Sequence, residues 1–391
     1  MSRVTTKRGV HIPNHQVTEY VPHKSETIQI PSSTLPVWGG MFNIDVREQN
    51  VIVEKQALQF NLSAITVMTS GMYVPAQFFV DHVDYIFGGN IIDTYTPLNQ
   101  FLLPQLFESD ENRSIANFSS GPYASTSKRI AMATTSNSYY LPLYDFFRQS
   151  KTIALLEPTH NYQLRVFLQP LANVTVGTGT ATATINSVNL LAKVIRLRDE
   201  EANALKMEMF SKRTIHSKFH DLKNQSYTVN SGVSSTNIVL SAITGPISYL
   251  LFVVRPTASL NGNNAFNFTA IQSYEILNSS GANFVGGQPI NNSQALLLLG
   301  NDWCESSYLS ENALGSTDNG ANVYIYSFSS DPIDSAQNGR SLGAHNFSGS
   351  EQLKITFAGS LGASVQVDVL AFCEAVLEQS KTSVNKKQYF H

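Results

Sequence analysis

The chain has 391 residues, 42% of them hydrophobic and only 14% charged, with a net charge of −3 at pH 7. That length exceeds one ordinary core and implies two domains, while a charge content below the roughly 25% usual for soluble domains describes a surface that packs against neighbours. The near-neutral balance, with a pI of about 6.3, excludes whole-chain attraction to nucleic acid, so no sequence-specific nucleic-acid partner is expected.

Residues 1–25 carry Arg3, Lys7, Arg8 and Lys24 against the single acid Glu19, with Pro13 and Pro22 and no apolar period. Such an extended basic arm suits a neighbouring subunit or an anionic membrane surface, where each Lys or Arg contributes about 1 kcal/mol. The arm has no apolar h-region, so no signal peptide is expected. The longest apolar run, Ile247 to Val254, is far shorter than the roughly 20 residues that cross a bilayer.

Strand-like runs follow: NVIVEKQALQFNLSAITV, FFVDHVDYIFGG, NYQLRVFLQPL and ATATINSVNLLAKVIRL. Many alternate apolar and polar residues, the period-2 signature of a sheet with one face on a core. The stretch from Arg198, RDEEANALKMEMF, breaks the pattern. It is dense in helix formers, and Asp199, Glu200 and Glu201 suit a helix N-terminus. Strands resume with SYLLFVVRP, SYEILN, NVYIYSF, LKITF and SVQVDVLAFCEAVL. Short strands between turn signals predict sandwiches rather than parallel sheets, and a strand running into a helix at mid-chain marks a seam between domains.

The halves rhyme. VDYIFGGNIIDTYTP and QSYEILNSSGANFVGGQPI each place an apolar strand before a Gly/Asn turn, with Gly88, Gly89 and Asp93 in the first. The last strands of the halves lie roughly 180 residues apart, the span of one eight-stranded sandwich with its loops. The expected organisation is a basic N-terminal arm (1–25), a first sandwich (26–197), a connecting helix (198–213), a second sandwich (214–378) and a C-terminal tail (379–391). The tail sets Lys381, Lys386 and Lys387 beside Tyr389 and Phe390, an interfacial mixture.

One loop carries an unusually specific string. Residues 321–357 read ANVYIYSFSSDPIDSAQNGRSLGAHNFSGSEQLKITF, two strands enclosing Gly, Asn and Ser, which describes either a ligand-binding rim or a connector. Phe347 is its apolar anchor in the connector reading. Asn346 and Ser348 supply side-chain hydrogen bonds to the loop, and Gly339, Gly343 and Gly349 supply turn freedom.

Catalytic chemistry is poorly served. GxSxG, HExxH and Walker A strings are missing. His216 and His220, spaced to share one face of a helix, lack further ligands and read as ordinary polar histidines. The acids at 199–201 read as a helix start, and VGTGTATAT leads into a strand rather than a phosphate-binding helix N-terminus. Cys304 and Cys373 form no zinc spacing and are expected to be free thiols. Neither a cofactor nor a metal is expected.

Five segments, taken in order, resemble the double jelly-roll major capsid proteins of tailless icosahedral viruses, from membrane-containing bacteriophages to the nucleocytoplasmic large DNA viruses. IFGGNIID at 86–93 is similar to the family's I-G-G-x-x-I-D turn, and YYLPLYDFFRQSKTIALLEPTHNYQLRVF at 139–167 to its PLPFWF…ALPLIAL…HEVRI segment. VIRLRDEEANAL is similar to its YIFLDxxER seam, and TGPISYLLFVVRP to the opening of its second sandwich. In the loop at 323–357, Tyr326, Ser327, Phe328, Pro332, Gly343, Asn346, Phe347 and Ser348 correspond in order to the family's YVYSF…NFS pattern. The chain departs from the pattern where Tyr144-Asp145-Phe146-Phe147 replaces Pro-Phe-Trp-Phe and where the Pro-Ser-Gly before Asn-Phe-Ser is missing.

The resemblance implies an all-β fold of two tandem eight-stranded jelly rolls with short connecting helices, and a non-enzymatic major capsid protein of the virion, made in the host cytoplasm. It further implies a homotrimer that acts as a pseudo-hexagonal tile of an icosahedral shell, with penton, vertex and minor capsid proteins as partners and an internal membrane beneath. Arg3, Lys7, Arg8, Lys24, Lys381, Lys386 and Lys387 are then the candidate contacts to neighbouring tiles or membrane. The other class of reading for such sandwiches is a carbohydrate-binding adhesin, spike or lectin, since fold alone does not separate the two.

Overall fold

The computed structural model of the chain describes residues 24–107, 126–145, 155–156, 160–212, 215–260, 268–284, 290–291, 322–329, 343–380 and 383–388. The first half contributes β1 (Lys24–Pro31), β2 (Met41–Val46), β3 (Val51–Leu62), β4 (Thr69–Tyr73), β5 (Val80–Phe87), β6 (Asn90–Tyr95), β7 (Asn137–Leu143), β8 (Leu155–Leu156), β9 (Tyr162–Leu168), β10 (Thr175–Thr178) and β11 (Ile185–Arg196). The second half contributes β12 (Ile215–Val229), β13 (Ser235–Val239), β14 (Thr244–Pro256), β15 (Ser273–Leu277), β16 (Ile290–Asn291), β17 (Val323–Ser327), β18 (His345–Ser348), β19 (Gln352–Thr356), β20 (Val365–Gln379) and β21 (Val384–Gln388).

Pairing is antiparallel throughout, and the same order occurs twice. The first half forms the sheets β1-β11-β3-β7 and β2-β9-β5-β6; the second forms β12-β20-β14-β17 and β13-β19-β15-β16. Setting aside the short accessory strands, each half has eight principal strands arranged 1-8-3-6 and 2-7-4-5. That is the jelly roll, so the chain is two tandem jelly rolls as the sequence implied.

Period-2 alternation builds the inner faces. Along β9, Tyr162, Leu164, Val166 and Leu168 point inward and are buried, and the intervening Gln163, Arg165 and Phe167 are not. The two central strands of one sheet in the second sandwich, β20 and β14, obey a different rule. β14 is buried from Gly245 to Arg255 without interruption, and β20 is nearly so. A continuous apolar run signals burial on both faces, and one sheet here has both: Ile247, Leu250, Phe252 and Val254 join the second core, whereas Tyr249, Leu251 and Val253 join the first.

Helix Asp199–Lys212 follows β11 and begins at the three acids. Asn50 Nδ2 donates to Asp199 Oδ1 at 3.3 Å, tying the helix start to the first sandwich. Helices Pro97–Phe107 and Thr126–Ala133 lie between β6 and β7 and were not anticipated. Pro104 inside the first helix reads in sequence as a breaker, yet Leu98, Phe101 and Leu102 secure that helix by burial. His216 and His220 lie on β12, not on a helix.

Candidate functional site

The feature that distinguishes this chain from a pair of linked sandwiches is the seam between them. It is built mainly from the outward face of β12-β20-β14-β17. Tyr249 and Phe372 stack there with ring centroids 3.9 Å apart, and His220 stands 5.5 Å from Tyr249. Burial raises the Tyr249 phenol's pKa, and Tyr144 of the first sandwich raises it further. Burial alone lowers the His220 imidazole from 6.5 to about 4, so it is neutral in the folded chain at pH 7.

Toward the end of β20 the seam is strapped. β21 pairs with β20, from Ala375↔Gln388 to Gln379↔Val384. Val384 is fully buried, and Asn90 Nδ2 of the first sandwich donates to its carbonyl at 2.6 Å. Gly88 and Gly89 make the β5–β6 turn with φ of +59° and +83°. A Cβ on Gly88 would meet Val384 Cγ2 at 2.9 Å, whereas one on Gly89 would meet nothing within 4 Å. Gly88 therefore serves two needs, a left-handed turn and close approach of a strand from the other end of the chain.

Three titratable groups meet beside this strap. Asp93 comes from β6, Asp221 from β12 and Lys386 from β21. Lys386 Nζ donates to Asp221 Oδ1 at 2.8 Å. Burial first, and the charge of Asp221 second, hold the Asp93 carboxyl well above the usual carboxylate range, while Lys386 pulls it down. Lys386 thus ties β21 to β12, and its charge acts on Asp93 of the first sandwich across the seam.

Toward the start of β20 the seam opens into a cleft of about 270 Å³, lined by Phe78, Leu98 and Asn99 from the first sandwich and Asn224, Arg255 and Asp368 from the second. Arg255 Nε donates to Asp368 Oδ2 at 2.7 Å. Ser226 Oγ and Gln366 Nε2 donate to Asp368 Oδ1 at 2.6 and 2.7 Å. Both carboxylate oxygens of Asp368 are therefore engaged within the second sandwich.

The sequence-derived candidates fall into separate places. Gly88, Gly89 and Asp93 belong to the seam. Tyr326, Phe328 and Phe347 belong to the second sandwich: Phe328 lies 4.9 Å from Tyr326 and 5.4 Å from Phe347, and Phe347 is buried. Asn346 pairs with Pro246 across β18 and β14. Lys24 forms an ion pair with Glu26 at 2.6 Å, and Lys387 one with Glu378 at 2.7 Å. Val384–Gln388, assigned by sequence to a tail, is thus a sheet strand whose lysines engage this chain's own acids. Arg3, Lys7, Arg8, Lys381, Cys304 and the loop residues 330–342 lie outside the described residues. Cys373 is buried and free, and among the described residues no group of three or more His, Cys, Asp or Glu is placed to hold a metal.

Sequence reasoning missed the cluster of Asp93 with Asp221 and Lys386, and the pair of Arg255 with Asp368. For the pair, a charge inside the apolar runs of β14 and β20 was the available signal, because a buried charge requires a partner.

No protein-family model and no curated protein matches this sequence. Solved structures do match in fold. The PBCV-1 VP54 crystal structure, fitted into a reconstruction of the virophage Sputnik, is similar with a TM-score of 0.69 at 14% identity, covering 96% of this chain and 100% of that one. The Faustovirus major capsid protein is similar with a TM-score of 0.66 at 10% identity, over 96% of this chain and 93% of that one. The mavirus major capsid protein is similar with a TM-score of 0.56 at 11% identity, over 97% and 93%. Together with the repeated strand order, these likenesses establish the fold of this chain as a double jelly roll.

Proposed function

We propose that this protein is a major capsid protein, a non-enzymatic building block whose homotrimers tile an icosahedral shell. The observation that carries the reading is the doubled sandwich with a sheet buried on both faces. It makes two non-identical copies of one shape into a single rigid unit. Three such units around a threefold axis present six similar sandwiches, so a trimer can occupy a sixfold lattice site. Structures similar to this chain carry the name major capsid protein, which supports the same reading.

Its partners are then further copies of itself, vertex and minor capsid proteins, and a membrane beneath the shell. Arg3, Lys7 and Arg8 on the N-terminal arm, and Lys381, are the groups proposed to reach neighbouring trimers or anionic lipid. The place of action is the virion, after synthesis in the host cytoplasm. Electron microscopy and native mass spectrometry of the purified chain test the reading: trimers that form hexagonal arrays or shells are expected. A chain that stays monomeric at all concentrations and binds glycans on an array would overturn it in favour of an adhesin.

A further inference from the structure

Shell building makes no use of the group formed by Asp93, Asp221 and Lys386, and its chemistry is more specific than that of an ion pair. β6 packs against both β12 and β21, which brings one residue from each of the three strands together. Lys386 Nζ lies 2.8 Å from Asp221 Oδ1. The Asp221 side chain is only 9% exposed, and Phe219 and Leu222 on the same strand belong to the shared core. Asp93 is 3% exposed. Its Oδ1 accepts from Thr94 N at 2.8 Å, and its Oδ2 is buried with no hydrogen-bond partner among the described residues. Burial, with the charge of Asp221, favours the protonated form of Asp93 well above the usual carboxylate range. An amine, a carboxyl group in contact with it and a second carboxyl that carries a proton are the three parts needed to make an amide.

We propose that this group is a self-modification site, in which Lys386 Nζ and Asp221 Cγ join in an isopeptide bond with Asp93 as the acid that transfers protons. The ion pair first becomes a neutral amine and a neutral carboxyl group when one proton passes from Nζ to Asp221, an exchange that poor solvation of charge favours. The nitrogen lone pair then attacks Cγ. Asp93 gives its proton to the departing Asp221 hydroxyl as the C–O bond breaks, water leaves, and the Asp93 carboxylate takes a proton from the nitrogen. One C–N bond forms and one C–O bond breaks. Ammonium and carboxylate become amide and water, Asp93 ends as it began, and no oxidant or further reactant is consumed. The paired strands hold amine and carboxyl in contact, which supplies an effective concentration of roughly 10⁵ M or more. Water has a way out, because the Lys386 side chain is 29% exposed.

The bond staples β21 to β12 across a separation of 165 residues, beside the place where Asn90 holds Val384. It forms within one chain, so it does not depend on trimerisation.

Mass spectrometry of the purified full chain tests the proposal. The chain is expected to be lighter by one water than the mass measured for Lys386→Arg, corrected for that substitution. Trypsin cleaves after Lys218, Lys223, Lys381 and Lys387, so the bond yields a branched peptide that joins residues 219–223 to 382–387. Asp93→Asn should slow the appearance of that peptide roughly 100-fold or more after folding. Recovery of 219–223 and 382–386 as separate peptides from folded chain of full mass would overturn the proposal. A chain lighter by one water that lacks the branched peptide carries a succinimide instead, and would overturn it as well. A branch from Lys386 to the peptide 56–113 would place the bond on Asp93 and overturn the roles given to the two acids. Cross-linking of Asp93→Asn at the original rate would overturn Asp93 as the acid.

Discussion

Asn90 and Val384 lie 294 residues apart, and the side-chain amide of the first donates to the backbone carbonyl of the second at 2.6 Å. A hairpin turn of the first sandwich is thereby held against the terminal strand of the second. The turn can approach so closely because Gly88 has no side chain.

Replacing Gly88 by Ala should destabilise the chain by about 2–4 kcal/mol. The left-handed φ of +59° accounts for about 1–2 kcal/mol, and displacement of Val384 for the rest. Gly89→Ala pays only the conformational part, because its Cβ points into open space. Urea-unfolding midpoints of the two variants check this, and equal losses would refute the contact with Val384.

Asp93 predicts a pH dependence with a definite sign. Its folded pKa lies well above 3.8, chiefly through burial. Between the ordinary value and the raised one, the folded chain holds a proton that the unfolded chain has released. Its contribution to stability is therefore complete at low pH and falls as pH rises through that window, by up to about 1.4 kcal/mol per pH unit. Asp93→Asn should remove this slope and match or exceed the original stability at pH 7, as measured by denaturant unfolding across pH. An unaltered slope would count against the assignment.

His220 acts in the opposite direction. Its folded pKa is lowered from 6.5 to about 4, so on acidification the unfolded chain takes up a proton before the folded chain does. Stability falls as pH drops from 6.5 toward 4, in total by about 3 kcal/mol. His220→Gln should abolish that acid loss, leaving the rise from Asp93 visible by itself.

Arg255 and Asp368 form an ion pair with side chains only 8% and 6% exposed. Removing one partner strands the other charge, so Arg255→Met and Asp368→Leu should each cost about 3–5 kcal/mol. The double variant Arg255→Met with Asp368→Leu should cost less than the two losses added. A thermodynamic cycle of unfolding free energies measures the difference, and strict additivity would refute the coupling.

Phe347 packs against Phe328 at 5.4 Å and His345 at 5.5 Å and is buried. Phe347→Ala should cost about 3–5 kcal/mol and lower the yield of folded chain. Full stability in that variant, seen by thermal melting, would show that the β18 segment is not a structural connector.

The fold class was legible in the sequence because alternation along one strand is a local property. Tyr162 to Leu168 declares its inward face within seven residues. The turn at Gly88 and Gly89 was legible for the same reason, since positive φ is a demand of the immediate backbone. The helix Pro97–Phe107 was not legible, because burial of its leucines overrides the local signal of Pro104. The two-sided burial of β14 and β20 left a trace in their unbroken apolar runs, but the runs could not say what lay on the second face. The strap of β21, the need for Gly88 to admit Val384, and the meeting of Asp93, Asp221 and Lys386 were decided only by tertiary structure. Each joins residues brought together by the closing of whole sandwiches, and the spacing of residues along a chain holds no record of which distant strand will arrive beside it.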